Sequence, residues 1–259
     1  MECCQLRFSP AMTDRVKTLQ PVLNRGMQHM RSFFENPALA TPPVFWLTTT
    51  EAEMTSVLKY GLNRPDASLK EAVGRKIYRD KDNFVFLLPA GLSDDWLERI
   101  LFMEYAKSLI SADRDLEKTG WLEAGLAAYV GWMVQAELEN HQDNFESRFI
   151  SYYLYYYKPM GVTNLADLED GTKWRQYIEA NASVAISQSA LAYAYLVRLK
   201  GPTAGVAVLK IFRELEKQRS GSFHDAFLKG TGISLAAFES DWKSKFLPGE
   251  GQSQEPAAH

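Results

Sequence analysis

The run Phe84-Val85-Phe86-Leu87-Leu88, then Pro89-Ala90-Gly91, then Ser93-Asp94-Asp95, reads as strand, turn and helix in immediate succession. Five residues apolar on both faces belong inside a sheet, since an edge or half-solvated strand would alternate with polar residues. Ser93 is a good N-cap, and Asp94 and Asp95 place negative charge where the helix dipole favours it, so a helix is predicted from Asp94 to Ile110.

Working upstream, Asp80-Lys81-Asp82-Asn83 has hairpin-turn chemistry and links the Phe84–Leu88 strand to a partner over Arg75 to Tyr78. Pro43 to Thr49 reads as a buried strand, after which Thr50 and Glu53 form a capping box for a helix ending near Gly61. Gln5 to Phe8 is a short strand. Val16, Leu19, Leu23, Met27, Met30 and Phe34 then recur at helical spacing, with a kink or broken first turn expected at Pro21.

Downstream the chain turns almost wholly helical. A polar link over Ser111 to Gly120 leads to a helix from Trp121 to Glu139, followed by helices over Phe145 to Tyr157, Trp174 to Ala180, Val184 to Lys200 and Val206 to Gln218. Two short helices follow, capped by Ser222 and Ser234, and from Pro248 the composition is that of a frayed tail. The expected fold is α+β: a small mixed sheet with helices in an N-terminal subdomain (1–119), packed on a helical C-terminal subdomain (120–247), with a disordered tail over 248–259.

With 259 residues, a fold of this size buries roughly three quarters of its unfolded surface. Hydrophobic residues make up 46% and charged residues 24%, which excludes collagen-like and disordered classes. The net charge of -3 provides no basic field for a nucleic-acid backbone, so nucleic acid is not an expected partner. The two cysteines, Cys3 and Cys4, are adjacent, which excludes a disulfide framework and a cysteine-ligated zinc module. No apolar run approaches the length of a membrane span, and the chain as it stands reads as cytoplasmic; a truncated N-terminus would make it periplasmic or envelope-associated.

Two stretches carry a family resemblance. Met103-Glu104-Tyr105-Ala106-Lys107, behind the Phe84–Leu88 strand, and Trp121-Leu122-Glu123-Ala124-Gly125-Leu126-Ala127-Ala128-Tyr129-Val130 resemble the two metal-site helices of gluzincin (peptidase MA-like, thermolysin-type) metallopeptidases. In that family the first helix carries His-Glu-x-x-His and the second a Trp-Leu-x-Glu-Gly-Leu-Ala-x-Tyr segment. Trp121, Leu122, Gly125, Leu126, Ala127 and Tyr129 match the second segment in order. Weaker likenesses run through Leu165-Ala166-Asp167-Leu168, Gln188-Ser189, Gly201 and Gly232-Ile233-Ser234-Leu235 with Phe238 and Trp242. The resemblance implies that the two histidine ligands fall on Met103 and Lys107, the glutamate ligand on Ala124 and the catalytic glutamate on Glu104.

A thioether is a poor zinc ligand, an ammonium repels the cation and a methyl group offers no donor. The histidines, His29, His141, His224 and His259, fall on separate elements. No cofactor is therefore expected, and without a metal Glu104 is vestigial, because nothing lowers the pKa of water or polarises an amide carbonyl. Glu104 and Lys107 stand three residues apart on a helix and can pair, the ammonium occupying the place of the metal; the bland alternative leaves both in solvent. Glu123 adjoins the lost ligand position but is turned about 100 degrees from it, so it is read as a solvated helix residue.

Tyr152, Tyr153, Tyr156 and Tyr157 lie on two adjoining helix faces, and Tyr193 and Tyr195 on a later helix; such rings serve either as a cleft wall or partner surface or, as favoured here, as helix packing. Lys107-Ser108 is a weak serine–lysine signal, because adjacent helix residues point apart. The resemblance implies an inactive peptidase-like protein acting as a peptide- or protein-binding or scaffold module, with the cleft between the two halves as the expected site. The alternative is an active hydrolase with a non-standard metal or nucleophile.

Overall fold

The computed structural model describes residues 4–35, 42–80, 82–110, 120–157, 163–169 and 171–246; the predicted tail and the polar link over 111–119 lie outside them. Two compact units emerge, one from residues 1–114 with 130–145, the other from 115–129 with 146–259. The fold is mixed α and β, mostly helical, with one small sheet.

The first unit contains β1 (Gln5–Phe8), α1 (Thr13–Phe33), β2 (Val44–Thr48), α2 (Glu51–Ser56), α3 (Asp66–Arg75), β3 (Ile77–Asp80), β4 (Asn83–Leu87), α4 (Asp94–Ile110) and the latter part of α5 (Gly120–Leu138). The strands lie in the order β1-β2-β4-β3, the first three parallel and β3 antiparallel at the edge. β4 is thus interior, as its unbroken apolar run requires, and Phe84, Val85 and Phe86 are all buried. One sheet face carries Phe45, which stacks on Phe84 with ring centroids 5.0 Å apart. On the other face Val85, with Trp46, Tyr78 and Leu87, packs against Met54 and Leu58 of α2 and its π-helical extension (Val57–Gly61) and against Leu69 and Ala72 of α3.

Three sequence expectations need correction in this unit. α1 runs without interruption through Pro21, because Pro21 and Lys17, whose carbonyl loses its partner, both lie on the exposed face where water can serve instead. α3 is a helix where the sequence reading places none. Its helix ends at Arg75, Lys76 takes the left-handed conformation (φ 60°), and the edge strand therefore starts at Ile77 and reaches Asp80, two residues later than expected at either end.

The helices of this unit approach closely. A Cβ on Gly26 of α1 would lie 2.3 Å from the Phe102 ring of α4 and 3.1 Å from Val134 of α5, so only glycine fits there. A Cβ on Gly131 of α5 would stand 3.0 Å from Met103 Cγ and 3.1 Å from its backbone nitrogen.

The second unit is helical: the first part of α5, α6 (Phe145–Tyr157), α7 (Gly171–Lys200), α8 (Ala204–Gln218), α9 (Phe223–Thr231) and α10 (Leu235–Phe246). α7 joins the two helices expected on either side of Asn181, whose extended backbone (φ -161°, ψ 90°) breaks the helical path and whose side-chain oxygen accepts from the Val184 N–H at 3.1 Å, capping the second segment. Ser222 and Asp225 form a full capping box on α9. Trp121 is the hub, its ring centroid 6.3 Å from those of Phe223, Phe227 and Phe238.

Candidate functional site

α4 is aimed by the interior strand β4 and the cap that precede it. The Leu88 N–H donates to Thr48 O at 2.8 Å, extending the β2–β4 ladder, and the Trp96 N–H reaches Ser93 Oγ at 3.4 Å in the first turn. Three turns on, Lys107 Nζ donates to Glu104 Oε1 at 2.5 Å. The pair expected from the three-residue spacing is present, and it is not a surface one: Glu104 is 6% exposed and the Lys107 side chain 21%. Met103 is half-buried.

These residues do not fit a zinc ion. The amine of Lys107 is committed as a donor to a carboxylate, and a charged ammonium has no lone pair to offer a metal. Among the described residues no group of three or more His, Cys, Asp or Glu side chains is arranged to hold a metal ion. His29 Nδ1 lies 3.3 Å from Glu137 and His141 Nδ1 lies 3.4 Å from Glu139. Ser108 Oγ donates to the Tyr105 carbonyl at 2.7 Å, so its proton serves the helix backbone, and the Lys107 amine is turned to Glu104.

In the second unit, the Trp121–Tyr129 stretch is a packing element throughout. Leu122, Leu126 and Ala127 are buried with Trp121. A Cβ on Gly125 would fall 2.3 Å from the Ser189 carbonyl oxygen of α7, so α5 and α7 touch backbone to backbone. The Tyr129 ring lies 5.5 Å from Tyr193 and 5.4 Å from Phe149, and burial, with the Glu146 charge, pushes its hydroxyl up to about 12. Ala124, the position to which the resemblance assigns the third ligand, is buried.

Glu123 is a correction: it is 3% exposed, not solvated. Every residue from Gly120 to Trp132 is buried, so this part of α5 has no water-facing side on which a carboxylate could be placed.

The tyrosines divide. Tyr153 is buried, its ring 4.8 Å from Phe149, and Tyr152 is half-buried edge-on to it at 5.0 Å. Tyr156 lies within α6, but its side chain is outside the described residues. Tyr157 is half-buried, with burial and then Tyr177 pushing its ionisation upward. Tyr193 is fully buried and donates to Pro202 O at 2.7 Å; Tyr195 donates to Asp241. On α6, Tyr155 is the exposed ring, at 69%.

Gln188 has a role that spacing alone does not disclose. Fully buried, its amide donates to Thr163 O and accepts from the Thr163 N–H at 3.3 Å and from Tyr177 Oη at 2.8 Å, tying the segment before Leu165 to α7. Glu98 of α4 was also missed: it is half-buried, with its carboxyl pushed up to about 7 by burial first and then by Glu139, Asp95 and Asp94. No helix among the described residues is long and apolar enough to cross a membrane. No family model matches the chain, and no curated protein or solved structure matches it.

Proposed function

We propose that this chain is a gluzincin-like protein without a catalytic metal, and that it binds peptide or protein rather than cleaving it. The observation that carries the reading is the Lys107–Glu104 contact at 2.5 Å, which puts a cation-to-carboxylate pair where the resemblance calls for a ligand and a catalytic glutamate. Support also comes from a mixed sheet whose interior strand leads directly into α4, and from the packing role of the Trp121–Tyr129 stretch. Lacking a metal-activated water, Glu104 cannot by itself drive amide hydrolysis, since the amide carbonyl stays unpolarised. Peptide is the ligand class by analogy with the substrates of the family it resembles.

The test combines metal analysis after dialysis with fluorescence anisotropy of labelled, sequence-randomised peptide pools, each incubated with and without chelator. Saturable binding with peptides left intact and zinc far below stoichiometric is the expected result. Stoichiometric zinc together with chelator-sensitive cleavage would overturn the reading in favour of an active peptidase.

A further inference from the structure

β1 is an outer strand of the sheet, with β2 on one side and, among the described residues, no strand on the other. The Gln5 N–H donates to Pro43 O at 2.9 Å and the Ser9 N–H to Leu47 O at 3.0 Å, so the odd-numbered residues turn their backbone groups to β2. Leu6 and Phe8, alternating with them, turn their N–H and C=O groups to the open edge. Phe8 is 39% exposed, and Gln5 and Arg7 are exposed as well. An open row of backbone donors and acceptors is a template for one more strand.

Arg7 sets this edge apart. Its guanidinium lies over the ring of Trp46, its neighbour in register on β2, 4.5 Å from the ring centroid. Among the described residues no carboxylate pairs with Arg7 and no hydrogen bond reaches its side chain. Trp46 is itself held, its indole N–H donating to Asn83 Oδ1 at 3.3 Å, so the cation rests on a fixed ring and is placed in advance for an anion. At the opposite edge the comparable cation is spent: Arg64, over the Tyr78 ring of β3, pairs with Asp80.

We propose that the β1 edge takes up an extended peptide of the pattern apolar-acidic-apolar as an added antiparallel strand. The backbone groups of Leu6 and Phe8 supply the hydrogen bonds. The acidic residue stands opposite Arg7, in the closely spaced pair without hydrogen bonds where side chains approach best, and the two residues flanking it fall on the other face, beside Leu6 and Phe8. A second copy of this chain fits less well, because joining two β1 edges about a two-fold axis sets the two Arg7 side chains opposite or diagonal to each other on one face, neither with a carboxylate partner. The proposal rests on the reading above for peptide as the ligand class and uses no residue of α4.

Proton–nitrogen correlation NMR of the full chain, titrated at low salt with acetyl-Thr-Val-Glu-Val-Thr-amide, tests it. Saturable shifts of the Leu6 and Phe8 amides are expected. Lysine in place of the peptide glutamate should weaken binding roughly tenfold, and so should Arg7→Glu, which should also come to prefer the lysine peptide; that reversal shows the variant is folded. N-methylation of both peptide valines, which removes the donors to Leu6 O and Phe8 O, should abolish the shifts. Binding that is indifferent to Arg7→Glu and to N-methylation overturns the β1 site and leaves peptide binding elsewhere intact. Failure of the pentapeptide while randomised pools still bind does the same, whereas failure of both removes the peptide reading too. Shifts of the Leu6 and Phe8 amides that grow with protein concentration in the absence of peptide overturn the proposal in favour of a second copy.

Discussion

Two stretches suggest the same family, and they behave differently in the folded chain. From Trp121 to Tyr129, the six matching positions are packing positions: Trp121 meets three phenylalanines, Gly125 lets two helices touch, and Tyr129 joins Phe149 and Tyr193. From Met103 to Lys107, the positions that would do chemistry hold a thioether and an ion pair. What matches is the part that builds a helix interface, and what fails to match is the part that would bind metal. The positions that the resemblance assigns to chemistry give the reaction no support, which is why the proposed function is binding.

The packing half of that contrast can be broken hardest. Gly125→Ala places a methyl group against the Ser189 carbonyl oxygen, 2.3 Å away, and should cost about 3 kcal/mol in denaturant unfolding because backbone, not a flexible side chain, must yield. Gly74→Ala on α3 is the control: nothing lies within 4 Å of the added carbon, so it should stabilise by about 0.5 to 1 kcal/mol. If Gly125→Ala were as harmless as Gly74→Ala, the α5–α7 contact would not be the reason for glycine at 125.

The chemical half can be sharpened in the opposite direction. Met103→His with Lys107→His sets two imidazoles one helical turn apart and removes the ammonium, and calorimetric titration should show zinc affinity at least tenfold above the parent, about 1.4 kcal/mol. An unchanged affinity in a folded variant would mean that residue identity at 103 and 107 is not what excludes the metal.

Much of the fold is legible in the sequence. The apolar run at Phe84–Leu88 could only be an interior strand, and Ser93 with two aspartates could only open a helix, because both signals are local and agree with each other. The Glu104–Lys107 pair follows from a three-residue step on that helix. α3 was lost because Leu69, Ala72 and Val73 give its ten residues little apolar periodicity, although Pro65-Asp66 was a usable start signal; the displaced β3 followed from that omission. Glu123 was misplaced for a different reason. Periodicity assigns a face only where a helix has a wet side, and residues 120–132 have none. Gln188 acts through partners distant in the chain, and Glu98 is raised first by burial, neither of which spacing reveals.

The central claim, that Glu104 and Lys107 of α4 form a partly buried ion pair, is tested most directly by a double-mutant cycle on the two residues read by denaturation. Lys107→Met should cost about 2 kcal/mol, because it strands a carboxylate that is only 6% exposed, and Glu104→Gln about 1 kcal/mol, because an ammonium on a long stem can turn to water. With the double variant included, the account predicts a coupling energy of about 1 kcal/mol. A coupling indistinguishable from zero, with each single substitution within about 0.5 kcal/mol of the parent, would contradict it, since that is how two independent solvent-facing residues behave.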